Sequence, residues 1–452
     1  MKHTLLSSCT LLSVLFYSSA IAQTPCVDGM AGDFPCNNVD LLSFMPSEEI
    51  GGTGSNDVWG WVDPISGIEY AILGRKSGTS FIDISDPVNP VFVGNLPASG
   101  ANSTWRDIKV ANNHAYIVSE AFGHGMQVFD LMKLGDVTAP PVEFEEDALY
   151  DGFSKAHNLV MNEETNRLYA VGTNTFEGGL HILDVSDPIN PTLIGEFSED
   201  GYTHDAQVVI YDGPDATFQG KEIAFACNEN TVTIADVSDP SDAYMISAST
   251  YSNSQYTHQG WLTEDQRYFL VGDELDEYYD GINTTTFIWD VQDLSNPQLI
   301  GTFVSETAAI DHNLYVVGDL CYQSNYRAGL RIADVSNVAN GIIEEVAFFD
   351  VYPQNDEANF NGTWSNYPYF PSGVVAVSHI DEGIFFVQPT IQSPEPGCPA
   401  DFNADLVVSV ADLLIMISEF GCMSNCETDL SGDGSVNVDD LLAFLVLFSS
   451  TC

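Results

Sequence analysis

The sequence predicts a mainly β chain, a seven-bladed β-propeller followed by a small α-helical module that binds calcium. Three observations carry this expectation. A strand-and-turn motif recurs with a period of about fifty residues, and helical periodicity is missing between its copies. The last fifty-odd residues hold two twelve-residue loops of oxygen donors, each followed by an apolar helix.

In chain order, Lys2 and His3 precede an apolar run from Leu11 to Phe16 and the small-residue site Ala20-Ile21-Ala22. This pattern predicts a secretory leader over 1–22, cut before Gln23; the run is too short for a membrane span. The lipoprotein-like box Leu6-Ser-Ser-Cys9 has too little apolar sequence before it to serve as one. The mature chain is therefore expected to be secreted, extracellular or cell-surface associated. It keeps eight cysteines, an even number that favours disulfides outside the cell. Cys26 and Cys36 lie in a lead-in over 23–49 and are placed to close a small loop. Cys398, Cys422, Cys426 and Cys452 all fall in the C-terminal segment, where three pairings are possible.

The charge balance excludes some partners. Twelve Lys and Arg against 65 Asp and Glu give a net charge of −53, which repels nucleic acids and anionic membranes. With 44% hydrophobic and 11% aromatic residues the chain still has the means to fold around a core.

The repeats occupy 50–390. Thr79-Ser-Phe-Ile-Asp83-Ile-Ser-Asp-Pro87, Gly179-Leu-His-Ile-Leu-Asp184-Val-Ser-Asp-Pro188 and Val232-Thr-Ile-Ala-Asp236-Val-Ser-Asp-Pro240 are the clearest copies. Weaker ones end at Asp130, Asp290 and Asp334, and a seventh, Gly383-Ile-Phe-Phe-Val-Gln388, lacks the Asp. Each is a β-branched and aromatic run closed by a turn, in which the Asp is expected to cap its own backbone. A second series stands upstream of the copies, as in Asp57-Val-Trp-Gly, Trp105-Arg-Asp107, Ala156-His-Asn158 and Thr203-His-Asp205. Four strands per repeat, seven times, make a propeller.

These residues resemble the secreted choice-of-anchor B family, whose repeats are of the LVIVD kind. The resemblance runs from about Cys26 to Pro389 and includes Asp57-Val-Trp-Gly-Trp61 and Ser103-Thr-Trp-Arg-Asp107. It implies a propeller ectodomain followed by an interchangeable surface-attachment device.

After a linker over 391–397 the C-terminal module spans 398–452. Its first loop offers Asp401, Asn403, Asp405, Val407 through its carbonyl, Ser409 and Asp412; its second offers Asp429, Ser431, Asp433, Ser435, Asn437 and Asp440. Oxygens at positions 1, 3, 5, 7, 9 and 12 suit Ca²⁺, so two Ca²⁺ sites are expected. The duplicated loop-helix units, both ending in Asp, resemble the type I dockerin family, which implies a cohesin-like or other cell-surface protein as partner. Leu406 occupies the sixth position of the first loop, where Gly is usual, so the second site is expected to be the stronger. Val410-Ala411 and Val438-Asp439 also depart from the Ser-Thr of cellulosomal members.

Four upstream motifs place His157, His204, His258 and His312 at equivalent repeat positions, which rotation about a propeller axis would bring together. Converging neutral imidazoles can hold a transition metal, with Asp107, Asp205 and Asp311 beside them to orient the rings. Arg106 falls in the same register and is either an anion handle or the partner of Asp107. The alternative is that these repeated residues hydrogen-bond neighbouring blades. No nucleophile elbow, zincin motif, phosphate loop or dinucleotide fingerprint is present. The functional expectation is a non-catalytic binding or display protein with an unknown propeller ligand; the alternatives are a metal-dependent oxidoreductase and, by association with dockerins only, a component of polysaccharide catabolism. Cys227 and Cys321, in different repeats, are expected to be core thiols unless their Cα atoms lie close enough to bridge.

Overall fold

The computed structural model describes residues 23–52, 54–391, 400, 402, 408–422, 428, 430 and 435–448. The leader over 1–22, the Gln392–Gly397 stretch of the linker, loop positions Asp401, Asn403, Asp405, Val407, Asp429, Ser431 and Asp433, and Cys398, Cys426 and Cys452 lie outside the described residues. Two compact units divide the chain at Pro389 and Thr390.

In the first unit, strands rich in Val, Ile, Phe and Tyr pair into seven sheets, antiparallel except for the short Val142–Glu143 strand, which runs parallel at the edge of one sheet. Their first strands are Ser55–Val62, Arg106–Ala111, Asn158–Asn162, Asp205–Ile210, Thr257–Leu262, Leu314–Val317 and Thr363–Tyr367. Each of these packs against the first strand of the neighbouring sheet, which makes it the inner strand of a propeller blade. The repeated motif is the third strand of every blade, from Gly78–Asp83 to Gly383–Pro389. At Asp83, Asp130, Asp184, Asp236, Asp290 and Asp334 the carboxylate accepts the amide two residues on, the Asx turn that ends the strand. A register shift between third and fourth strands recurs in six blades, and such bulges strengthen the twist each blade needs.

The ring is closed by the residues of the lead-in. Val39–Pro46 forms the outer strand of blade seven, pairing Leu41 with Val387 and Phe44 with Phe385. Just upstream, Phe34–Asn37 pairs with Glu344–Phe349 at the edge of blade six, and the Cys26–Cys36 disulfide ties this segment together. The N-terminal residues thus join the last two blades of the chain.

Apolar side chains fill the spaces between blades; Phe81 of blade one, for example, stacks on Phe129 of blade two with centroids 4.7 Å apart. Cys227 and Cys321 are buried free thiols in two separate core clusters. Three histidines away from the axis are also buried. His181 is held by the Tyr150 hydroxyl at 2.8 Å and Thr175 at 2.9 Å, while His124 and His379 lie in other blades.

In the second unit Val410–Ser418 and Val438–Leu447 are helices. Ser409 caps the first in a reciprocal box with Asp412, and Asp440 accepts the amide of Asn437 at 2.7 Å in the second. Met416 and Phe444 meet Ala400, Val408 and Val436 in a small core, and Cys422 is disulfide-bonded. Among the described residues no helix is long and apolar enough to cross a membrane.

Burial pushes His124, His181 and His379 down to about 4. The unfolded chain, with histidines near 6.5, therefore binds more protons than the folded one between pH 6.5 and 4. Stability held above pH 6.5 is lost as the pH falls through that window, and the melting temperature should fall with it. His181→Gln should flatten this slope in scans from pH 7 to 4; an unchanged slope rules out its share.

Candidate functional site

The inner strands set the geometry of the axis. At equivalent positions stand Asp57, Asp107, Asn158, Asp205, Gln259, Asn313 and Ser365. Asp57 accepts the Ile108 amide at 3.2 Å and Asp107 the Leu159 amide at 2.6 Å, each from the next blade. Asn158 donates to the His204 carbonyl, Gln259 makes both an N–H and a C=O bond with Leu314, and Asn313 donates to Ser365. Ser365 faces Asp57, which brings the ring back to blade one. Inner-strand backbone groups that have no sheet partner on the axial side are satisfied in this way.

One residue earlier in each inner strand the series reads Asn56, Arg106, His157, His204, His258, His312 and Trp364. The four imidazoles form an arc with successive ring centroids 4.3, 4.1 and 4.6 Å apart. His204 Nδ1 bonds the carbonyl of His258 at 2.9 Å, and His312 Nδ1 bonds that of Trp364, again in the next blade. His258 Nδ1 faces the His312 carbonyl in a looser version of the same relation, short of full hydrogen-bond geometry. His157 Nδ1 meets Glu120 Oε1 at 2.7 Å. A carbonyl only accepts, so in neutral His204 and His312 Nδ1 carries the proton and Nε2 keeps its lone pair.

His258 and His312 turn Nε2 toward Glu274. Its carboxylate oxygens lie 3.8 Å from His258 Nε2 and 3.9 Å from His312 Nε2, and the three donor atoms fall within 4.8 Å of one another. Ligands bound at about 2.1 Å to one metal ion sit about 3–3.5 Å apart, so the widest pair here would have to close by about an ångström to share one ion. The Tyr326 hydroxyl donates to Glu274 at 2.7 Å and fixes its orientation. Burial holds His204 and His258 well below the ordinary histidine value and His312 at about 3, so the rings are neutral; burial lifts Glu274 to about 7. In front of these groups a cavity of about 450 Å³ is walled by Tyr202, Tyr256, Trp364 and Phe360.

The other residues singled out in sequence have different places. Arg106 has the register of the histidines, but its buried side chain bonds His124 Nε2 and the Arg75 carbonyl and not Asp107. Asp107 and Asp205 do not orient the imidazoles. With Asp57 they surround Lys109, whose ammonium takes both Asp107 oxygens at 2.8 and 3.0 Å. Desolvation works against the charge on Lys109, but these three carboxylates outweigh it and raise its pKa; burial raises Asp57, and lifts Asp205 to about 7. Asp311 is buried beside Asp276 and Glu277. Farther along the inner strands Trp59, Trp261, Tyr315, Tyr367 and Tyr369 line a second cavity of about 430 Å³, with Lys109 on its wall.

Glu120 and Glu274 are not in the repeated motifs, yet they share a position: each directly follows the second strand of its blade, as do Lys76, Gly172, Asn228, Tyr326 and Ile380 in the others. That offset was the available signal.

Against known protein families, the LVIVD repeat model matches residues 69–97 and 175–199, strands of blades one and three. The fold is a seven-bladed β-propeller, and two of its blades carry LVIVD repeats. No curated protein matches it. Similar solved structures include the β-propeller domain of Cps50 (Swd1) from Myceliophteria thermophila, at 14% identity and a TM-score of 0.48 over 75% of this chain and 98% of that one. A protein from Lactobacillus plantarum follows at 13% identity and 0.47, over 72% and 89%. The computationally designed Ika8 protein has 9% identity and 0.44, over 74% and 82%.

Lys109→Met removes the cation from three buried carboxylates and should destabilise the propeller by about 3–5 kcal/mol. Chemical denaturation of the two proteins checks this, and equal midpoints would show that the carboxylates do not depend on Lys109.

Proposed function

We propose that this LVIVD-repeat propeller is an exported binding protein of the choice-of-anchor B kind that holds a transition-metal ion on its axis and is tethered through its C-terminal module. The observation that carries the metal reading is the approach of His258 Nε2, His312 Nε2 and a Glu274 oxygen to within 4.8 Å of one another, with His312 Nδ1 bonded to the Trp364 carbonyl behind it. Backbone acceptors behind ligating histidines are the usual outer support of a metal site. A mixed imidazole and carboxylate set suits iron, copper or zinc, with His204 within reach as a further ligand.

A second reading, a metal-dependent oxidoreductase, is favoured by the cavity of about 450 Å³ against these ligands. Three protein ligands leave coordination positions for a substrate or water on that side.

The tethering arm rests on the dockerin-like resemblance. It is supported by the matching placement of the two twelfth-position carboxylates, Asp412 and Asp440, each fully buried and each accepting the amide of the ninth-position residue, Ser409 or Asn437. A calcium-dependent dock to a cohesin-like or other cell-surface protein follows from that resemblance.

Elemental analysis of the purified chain after exposure to zinc, copper(II) or iron(II) should find one ion per chain, lost in His258→Ala and weakened 10–100-fold in Glu274→Gln. Metal-free protein, or equal retention by both variants, would remove the reading. For the tether, Asp440→Ala should weaken one calcium-binding event of the full chain at least tenfold in calorimetric titration, and superimposable titrations would rule out the second loop.

A further inference from the structure

The axis carries a second cavity that the histidine site does not use. Successive residues of a strand alternate sides, so two positions beyond the polar ring each inner strand faces the axis again. That layer reads Trp59, Lys109, Val160, Gln207, Trp261, Tyr315 and Tyr367, one residue from each blade. All seven line the cavity of about 430 Å³, joined by Tyr369 just past the inner strand of blade seven.

Elsewhere in the propeller large aromatic side chains fill the spaces between blades, as Phe81 and Phe129 do. Here five stand around the axis, and Trp59, Trp261, Tyr367 and Tyr369 are only half-buried. Their places are preset. A Cβ at Gly60 would come within 2.1 Å of the Tyr367 ring, and Trp59 and Trp261 each meet Tyr315 edge to face at 76°. Polar groups without a protein partner stand among these rings. Among the described residues the indole N–H groups of Trp59 and Trp261 make no hydrogen bond, whereas that of Trp61 reaches Asn113 at 3.2 Å. Gln207 accepts the Leu262 amide at 2.8 Å through its side-chain carbonyl and leaves its NH₂ unpartnered beside Trp261. The Tyr369 hydroxyl is buried with no partner.

The walls select against charged ligands. Lys109 is no handle for an anion, because its three N–H groups go to the two Asp107 oxygens and the Ile108 carbonyl at 2.8, 3.0 and 3.2 Å. An anion would also meet Glu163 on the wall and the net charge of −53. A cation finds the Trp59 face already taken by Lys109 Nζ, 4.5 Å from the ring centroid. A flat aromatic ligand is held best between parallel rings, and these are inclined to one another by 43° to 76°. What fits is a neutral molecule with an apolar face and a hydroxylated edge. A pyranose has both: its C–H face covers a single aromatic ring, and its hydroxyls pair with the indole, amide and phenol groups at the ring edges. The volume lies within the range of about 300–1,000 Å³ usual for small-molecule sites.

We propose that this aromatic cavity binds a neutral pyranose sugar, with Trp261 as the stacking platform and the Gln207 NH₂ as a donor to its hydroxyls. The site is distinct from the histidine arc and needs no metal there.

The test is calorimetric titration of the full chain with glucose, galactose, mannose, xylose and N-acetylglucosamine, with their methyl glycosides, and with cellobiose, maltose and lactose; choline and glucuronate serve as charged controls. The expected result is saturable binding of at least one neutral sugar, weakened about tenfold or more in Trp261→Ala. Tighter binding of a glycoside or disaccharide than of its free monosaccharide identifies the end of a glycan as the source, and the reverse identifies a free sugar. No saturable binding by any neutral sugar, preference for choline or glucuronate, or equal affinity in Trp261→Ala would overturn the proposal. Should Trp261→Ala not fold, crystals of the unaltered chain soaked in the tightest-binding sugar decide the matter: a pyranose against Trp261 supports the site, and a sugar bound elsewhere or not at all overturns it.

Discussion

The polar ring on the inner strands is the interaction on which the rest of the propeller depends. An inner strand has a sheet partner on one side only, and its axial amides and carbonyls are buried where water does not satisfy them. Side chains at one repeated position, among them Asp57, Asp107, Asn158 and Gln259, reach forward to the next blade and complete those bonds. The same reach fixes the angle between blades, and the adjacent residue is then aimed along the axis. Asp57 and Asp107 hydrogen-bond the neighbouring blade, and His204 and His312 use Nδ1 in the same way, which leaves Nε2 to another partner.

A ring built from such forward links must close on itself. The chain closes it with Val39–Pro46, which completes blade seven from the opposite end of the sequence. Nothing local in that segment names its partner some 340 residues away, which is why it reads as a lead-in. The repeats, by contrast, were legible because a strand that ends in an Asx turn leaves the same Asp at the same place in six blades. The inner strands were legible for the same reason, through their polar and imidazole series. Side-chain direction was not: Arg106 has the register of the histidines, yet its side chain bonds His124 and the Arg75 carbonyl. Glu274 escaped the motifs because its offset repeats while its residue type does not.

The acidity of the chain also acquires structure. Part of the 65 acids ends strands, part surrounds Lys109 on the axis, and part is buried at Asp276, Glu277 and Asp311 with no protein cation. In a protein with only 12 basic residues, buried carboxylates outnumber the side chains able to neutralise them. Burial answers part of this by raising the pKa of Asp57, Asp205 and Glu274, which favours their neutral form.

The claim that the blade-to-blade links preset the axial imidazoles as ligands rests on which ring nitrogen carries the proton. Nitrogen-15 NMR of the metal-free chain, labelled at histidine and assigned by single substitutions, reads this directly. The account predicts that His204, His258 and His312 are neutral at pH 7 with the proton on Nδ1 and a bare Nε2. Protonated Nε2 on these rings, or charged imidazolium, would contradict it.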